Sequence, residues 1–299
     1  MTAADERAAL VALLRTGRRP WVEYSELVEE QGSATAVLLQ ELEAEPGGQT
    51  SLLPPDTPAV ESLLEQAHAE LERWTAEGMQ LISVLDPDYP PNLRAVHDRP
   101  PMVFLAGRLT PQDGRGVAVI GARQATETGC QRAAAIARHL VAEHYTVISG
   151  LATGIDTAAH EAALAANGRT VAVIGTGLAR FYPPPNHALQ RRIAERCAVV
   201  SQFWPDAPPT KQSFPMRNAV MSGIALATVV VEASEISGSR TATRLALAQG
   251  RPVFLTDTLV ESQPWAQQAA ALPGTHVVRE AVEITDAVER LTDAGALVP

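Results

Sequence analysis

The chain has 299 residues, 46% hydrophobic and 4% aromatic, with 24 Lys plus Arg against 34 Asp plus Glu and a formal net charge of -10. That length and apolar content suit two globular domains. No apolar run is long enough to span a membrane, and the acidic opening from Thr2 to Glu6 lacks the basic-then-apolar order of a secretory leader, so no membrane association and a cytoplasmic location are expected.

The first eighty residues read as short helices at Ala4 to Arg15, Trp21 to Glu30 and Thr35 to Leu42, then a break at Pro46-Gly47-Gly48-Gln49-Thr50. Thr57 before Pro58 is placed to cap a further helix, in which Val60, Leu63, Leu64, Ala67 and Leu71 recur at helical spacing up to Gly78. This predicts a small helical N-terminal domain over residues 1–80, with packing faces and no chemistry of its own. Short strands are expected at Leu81 to Val84 and Met102 to Leu105, joined by a proline-rich segment that favours extended chain and turns.

From Arg115 the texture becomes apolar runs of strand length alternating with helical patterns. The strands are expected at Gly116 to Ile120, Tyr145 to Ser149, Thr170 to Ile174, Ala198 to Phe203, Ala227 to Glu232, Pro252 to Thr256 and His276 to Val278. The segments between them are long enough for crossover helices, including Gln131 to Glu143, Thr157 to Asn167, Asn186 to Arg196, Met216 to Ile224 and Thr241 to Gln249. The fold class is therefore α/β: a Rossmann-like, doubly wound, mostly parallel sheet over residues 81–299. Its ligands are expected at the carboxyl ends of the strands.

Charge is unevenly spread. Residues 115–251 hold 14 Lys plus Arg against 8 Asp plus Glu, whereas residues 1–114 hold 8 against 19 and residues 252–299 hold 2 against 7. A basic middle between acidic flanks points to an anionic ligand there, or to a scatter of solvated arginines.

Five strand-end loops concentrate glycine, small hydroxyl residues and arginine. In "VAVIGARQATETG", Gly121-Ala122-Arg123 follows the strand and Thr126 is placed to cap the next helix, leaving amides free for an anion, yet the GxGxxG pattern is absent. "SGLATGIDTAAH" offers Gly150 and Gly154, with Asp156 placed to cap a helix or to bond a sugar hydroxyl or a loop donor. His160 is a packed histidine in this reading, and Leu164 stands where a zincin motif would need its second histidine, so no metal or other cofactor is expected. "GTGLARFYPPPN" combines Gly175 and Gly177 with Arg180, Tyr182, three prolines and the cap candidate Asn186. The long loop "SQFWPDAPPTKQSFPMRNAVMSG" interleaves Phe203, Trp204 and Phe214 with Lys211 and Arg217, a mixture that suits stacked bases and phosphates, although Phe214 is the first of these rings expected in the core. "EASEISGSRTATRLALAQGR" places Ser237, Gly238, Ser239, Arg240 and Thr241 at a helix start as a phosphate cradle, without the Lys-Ser/Thr pair of a P-loop. Cys130 and Cys197, far apart and outside any CxxC, are expected as free thiols.

Taken in order, "YPPNL", "VAVIGAR", "VISGLATGIDTAAH", "GTGLARFYPPPN", "FPMRN" and "SGSRTATRLALAQGR" resemble the motifs of the DNA-processing protein A (DprA/Smf) family over roughly Asp86 to Arg251. The resemblance implies a Rossmann-like protein that binds single-stranded DNA, self-associates as a homodimer and helps present the strand to a RecA-type recombinase. It also implies that Arg123, Lys211, Arg217, Asn218 and Arg240 lie in or beside a DNA-facing pocket shaped by the glycines. The guanidinium groups should then converge in space, and replacing Arg217 or Arg240 with alanine should weaken binding while leaving the fold intact. The chain departs from the family pattern at Ala219-Val220-Met221-Ser222-Gly223, where the family commonly has Arg-Ile-Ile-x-Gly, and an acidic helix from Glu283 to Leu291 is expected in place of the family's winged-helix module. No enzymatic activity is expected. The alternative is a nucleotide sensor or phosphoribohydrolase of the same broad fold group, which would need a catalytic acid where residues 237–244 have none; Glu232 and Glu235 precede them.

Overall fold

The structure, a computed structural model, describes residues 2–43, 57–295 and 297. It forms two compact units, Met1–Tyr89 with Pro100–Phe104 and Pro90–Arg99 with Leu105–Pro299. The predicted break at Pro46 to Thr50 and the capping role of Thr57 and Pro58 lie outside the described residues and side chains.

The smaller unit contains α1 (Ala3–Thr16), α2 (Trp21–Gln31), α3 (Ala34–Glu43), α4 (Thr57–Ala76) and β1 (Met79–Ser83), whose neighbour β2 (Met102–Gly107) begins here. Leu10 and Leu13 of α1 and Val37 and Leu38 of α3 are fully buried, as the helical spacing requires, and Trp74 of α4 meets Phe104 edge-on at 5.0 Å. The Glu6 carboxylate accepts from the Ala34 and Thr35 amides at 2.6 and 3.3 Å, which places a negative charge on the positive end of α3.

The larger unit follows the alternating pattern read from the sequence. Its elements are α5 (Pro91–Arg94), β3 (Gly116–Ile120), α6 (Glu127–Ala142), β4 (Thr146–Ser149), α7 (Ile155–Ala165), β5 (Thr170–Val173), α8 (His187–Arg196), β6 (Ala198–Ser201), α9 (Ser213–Ile224), β7 (Ala227–Val230), α10 (Gly238–Ala248), β8 (Val253–Thr256), α11 (Asp257–Ser262), α12 (Pro264–Ala270), β9 (Thr275–Val278) and α13 (Ala281–Asp293). Strand order is β6-β5-β4-β3-β7-β8-β9, with every pair parallel. The chain steps outward from β3 to β6, then returns to the other side of β3 with β7. That reversal opens a crevice above Ile120 and Val230, which lie opposite each other in the register.

Strands β3 to β8 are fully buried, with α6, α7 and α13 bringing Ile136, Leu140, Ile155 and Ile284 against Val117, Val119, Val147 and Val229 on one face, whereas the edge strand β9 is partly exposed. Several end a residue or more before the apolar run does. There the ladder gives way to side-chain hydroxyls that satisfy neighbouring carbonyls: Ser149 on Val119, Ser201 on Thr176 and Thr256 on Val231, at 2.6 to 2.7 Å. The loops carrying the predicted site peel away from these strand ends.

The amino ends of the strands are tied by Asp113. It accepts two hydrogen bonds from Arg169 at 2.9 and 2.8 Å, one from Thr146 Oγ1 at 2.9 Å and one from the Thr110 amide at 2.7 Å. Asp113→Ala should lower unfolding stability by about 2–4 kcal/mol in urea denaturation, because it strands a half-buried guanidinium and a buried hydroxyl. Its distance from the carboxyl-end crevice should leave ligand binding by the folded fraction unchanged.

Candidate functional site

The crevice at the switch point is an open pocket of about 970 Å³, bounded by the loops after β3 and β7 and by the start of α11. A second cavity of about 90 Å³ lies over β4 and β5 and shares Arg123, Ala152, Phe214 and Arg217 with the first. These four residues form the ridge between the two.

Arg217 anchors that ridge from below. It sits in the second turn of α9 and is buried, yet it donates to the Gly150 carbonyl, to the Val173 carbonyl at 3.0 Å and, through Nε, to Asn218 Oδ1 at 2.9 Å. A side chain on Gly150 would occupy the guanidinium's place, which is why glycine stands there. Burial pulls the Arg217 pKa down, opposed by Asp156 and reinforced by Arg123. Burial pushes Asp156 up, opposed by Arg217 and by the amides of Ala152, Gly150 and Gly121. Asp156 therefore does not cap α7, whose N-cap is Gly154 at φ 78°; its carboxylate staples the loop by accepting from the Gly150 and Ala152 amides at 3.1 and 3.2 Å. The expectation that Arg217→Ala leaves the fold intact meets a buried side chain with three internal partners. Its guanidinium is a brace across the ends of β4 and β5.

Above the brace, Arg123 is exposed and its guanidinium lies over the Phe214 ring at 4.8 Å. Phe214 is half-buried on the wall of both cavities, not in the core as expected, because α9 starts at Ser213 and turns this position toward the crevice. Tyr182 lines the smaller cavity with its ring 5.8 Å from that of Phe214. Phe203, Trp204 and Lys211 of the same long loop line neither cavity.

The first loop answers the missing glycines differently from the sequence reading. Thr126 caps α6 by accepting from the Gly129 amide at 3.0 Å, as expected, but the anion at that helix end is the protein's own. Glu232 accepts from the Thr126 amide at 3.1 Å and from its hydroxyl at 2.7 Å, and a side chain on Gly129 would collide with the carboxylate. At the opposite wall, Ser237 caps α10 by accepting from the Arg240 amide at 3.3 Å, while nothing lies near the position of a side chain on Gly238. The amino end of α10 is thus the open one.

Of the predicted site residues, Gly121, Arg123, Gly150, Gly175, Arg217, Asn218, Gly238 and Ser239 line the two cavities. Gly154, Gly177, Lys211, Arg240 and Thr241 do not. Gly177 lies against the Trp204 and Pro205 carbonyls, and Arg240 is exposed and paired with Glu235 at 3.0 Å. Asn186 does not cap α8 through its side chain, which instead donates to the Leu151 and Ala152 carbonyls and to Thr157. Sequence reasoning passed over Glu232 as a brace and missed the wall supplied by Thr258 and Leu259; the small polar run Thr256-Asp257-Thr258 after β8 was the available signal. Arg132, also on the wall, is committed to Asp257 at 2.7 Å and to Thr258 at 2.9 Å.

His160 lies below the β4 loop, fully buried. Thr170 Oγ1 donates to the Val147 carbonyl at 2.7 Å and so accepts from His160 Nδ1 at 2.6 Å, which places a proton on Nδ1. Burial, helped by the nearby Arg217 charge, lowers its pKa to about 3.

Fold and site together define a doubly wound α/β protein whose switch-point crevice presents an exposed guanidinium on an aromatic ring. Residues 80–289 match the family model for DNA recombination-mediator protein A, and the chain belongs to that family. It is 41% identical over 172 residues to DNA processing protein DprA of Streptococcus pneumoniae, covering 58% of this chain and 61% of that protein. It is 34% identical over 201 residues to DprA of Bacillus subtilis, covering 66% and 68%, and 36% identical over 188 residues to protein Smf of Synechocystis, covering 62% and 47%. The match thus spans between about half and two thirds of these relatives. Among solved structures, DprA from Streptococcus pneumoniae superposes with a TM-score of 0.75 at 27% identity, covering 94% of this chain and 97% of that one. DprA from Helicobacter pylori, described for its single-stranded DNA binding mode, superposes with a TM-score of 0.63 at 22% identity, covering 71% and 96%.

Two outcomes follow. Arg217→Ala should cost about 3–5 kcal/mol of unfolding stability, because it leaves Asp156 buried without its counter-charge, whereas Arg123→Ala should stay within about 0.5 kcal/mol; denaturant titration separates them. An unfolded histidine takes up a proton near pH 6.5 while His160 resists protonation down to about pH 3. Stability should therefore fall as pH drops from about 6.5, by up to about 1.4 kcal/mol per unit from this group. Stability curves of His160→Gln should lose that part of the slope.

Proposed function

We propose that this protein binds single-stranded DNA along the crevice, with Arg123 holding phosphate and Phe214 stacking a base. The observation that carries the reading is the Arg123 guanidinium over the Phe214 ring at 4.8 Å, on the ridge shared by both cavities. A cation beside a stacking platform suits a strand whose bases are unpaired, since each base offers a π-face and each linkage a charge. Duplex DNA hides the faces that Phe214 would stack.

Among the other predicted residues, Gly121, Gly150 and Gly175 shape the walls, Arg217 and Asn218 hold them, and Gly238 and Ser239 offer the open amino end of α10 to a phosphate. Lys211 acts outside the cavities, as long-range attraction for the strand, whereas the charge of Arg240 is met by Glu235. The role is that of a recombination mediator that keeps a single strand extended and hands it to a recombinase of the RecA type, in recombination or DNA uptake, as a homodimer. Binding without catalysis fits the two acids nearest the α10 loop: Glu232 is spent on Thr126 and Glu235 on Arg240. Membership of the recombination-mediator family supports the same reading.

Fluorescence anisotropy with a labelled oligothymidylate, titrated with salt, tests it. The parent should bind the single strand more tightly than duplex, with a logarithmic salt slope of about -0.7 per phosphate neutralised. Phe214→Ala and Arg123→Ala should each weaken binding about tenfold with the fold intact, and Arg123→Ala should also reduce the slope by about 0.7. Unchanged affinity in both variants overturns the assignment.

A further inference from the structure

The loop after β5 carries rings on both sides of its bend. Tyr182 lines the smaller cavity, while its chain neighbour Phe181 faces solvent with 38% of its surface exposed. Phe181 is not a bare hydrophobe. The Arg191 guanidinium of α8 lies 5.5 Å from its ring centre, and the His187 ring meets it edge-on at 4.0 Å.

The helix behind that ring is strongly basic. Arg180, Arg191, Arg192 and Arg196 fall within seventeen residues that contain one acid, Glu195, in a protein of net charge -10. All four are exposed. Among the described residues, Arg192 is neutralised by Glu161, but Arg180 and Arg196 bond to the uncharged Asp206 carbonyl and Asn167 amide oxygen, and Arg191 has no acidic partner. The arrangement repeats the motif of the crevice, a guanidinium on an aromatic face, one loop further along the strand ends.

We propose that Phe181 and Arg191 form a second stacking and phosphate station, and that single-stranded DNA leaving the crevice past Tyr182 continues over this station along α8. The inference rests on the single-strand reading of the crevice and extends it to a surface outside both cavities. Charge complementarity selects the occupant: an acidic peptide would match the arginines but would leave the Phe181 face without a planar partner, whereas a nucleotide supplies phosphate and ring together. Continuity selects the direction, because Phe181 and Tyr182 are consecutive residues.

The test compares oligothymidylates of about 4 and about 16 nucleotides, the range over which one binding module is filled. Parent protein should bind the longer strand more tightly. Phe181→Ala and Arg191→Ala should leave the short strand's affinity unchanged and weaken the long strand's by about five- to tenfold, with Arg191→Ala lowering the long strand's salt slope by about 0.7. Arg191→Glu should weaken the long strand further, and unfolding midpoints should match the parent because both side chains are exposed. Equal loss on both lengths, or no loss on either, overturns the station while leaving the crevice reading in place. A parent that binds neither length overturns both.

Discussion

One buried charge organises the carboxyl end of this sheet. Arg217 reaches from α9 under the loops after β4 and β5 and bonds their carbonyls, with the buried Asp156 as its electrostatic counterpart. A guanidinium removed from water is costly unless its donors and its charge are met, and here the strand-end carbonyls and Asp156 meet them. The consequence is positional. With the loops pinned from below, Phe214, three residues before Arg217, is turned to the crevice, and Arg123 from the next loop settles over its ring.

The protein supplies its own anion at one helix terminus and leaves another open. Glu232 fills the amino end of α6 and joins the loops after β3 and β7 across the switch point, so the region where a dinucleotide fold would seat a pyrophosphate is occupied by carboxylate. This gives the absent GxGxxG motif a physical reason. The first turn need not wrap a ligand's phosphate, and its glycines at 121 and 129 serve contacts with Ile155 and Glu232 instead. In the proposed reading, phosphate attraction passes to exposed arginines and to the end of α10, a distribution suited to a chain of linked phosphates more than to a single compact one.

The electrostatics follow the same division. The net charge of -10 is the balance of acidic flanks and a basic middle, so the mean field says little about the crevice. Within the middle, internal contacts separate the arginines: Arg217 and Arg132 are consumed by them, Arg240 is neutralised by its neighbour, and Arg123 and Arg191 are exposed and rest on rings.

The amino-acid sequence by itself determined the alternation of strands and helices, because buried parallel strands need continuous Val and Ile runs and crossover helices need length, and both are local properties of the chain. It also located the loops at residues 121–129, 150–156, 175–186 and 237–241, since glycine and small hydroxyl residues after a strand have few other uses. What it could not assign was which charged side chains face inward. Arg217, Arg123 and Arg240 look alike in a sequence, yet one is a buried brace, one an exposed contact and one half of a surface ion pair. Glu232 and Phe214 were likewise decided only in three dimensions, because their partners Thr126 and Arg123 lie about a hundred residues away and are brought near by strand order alone.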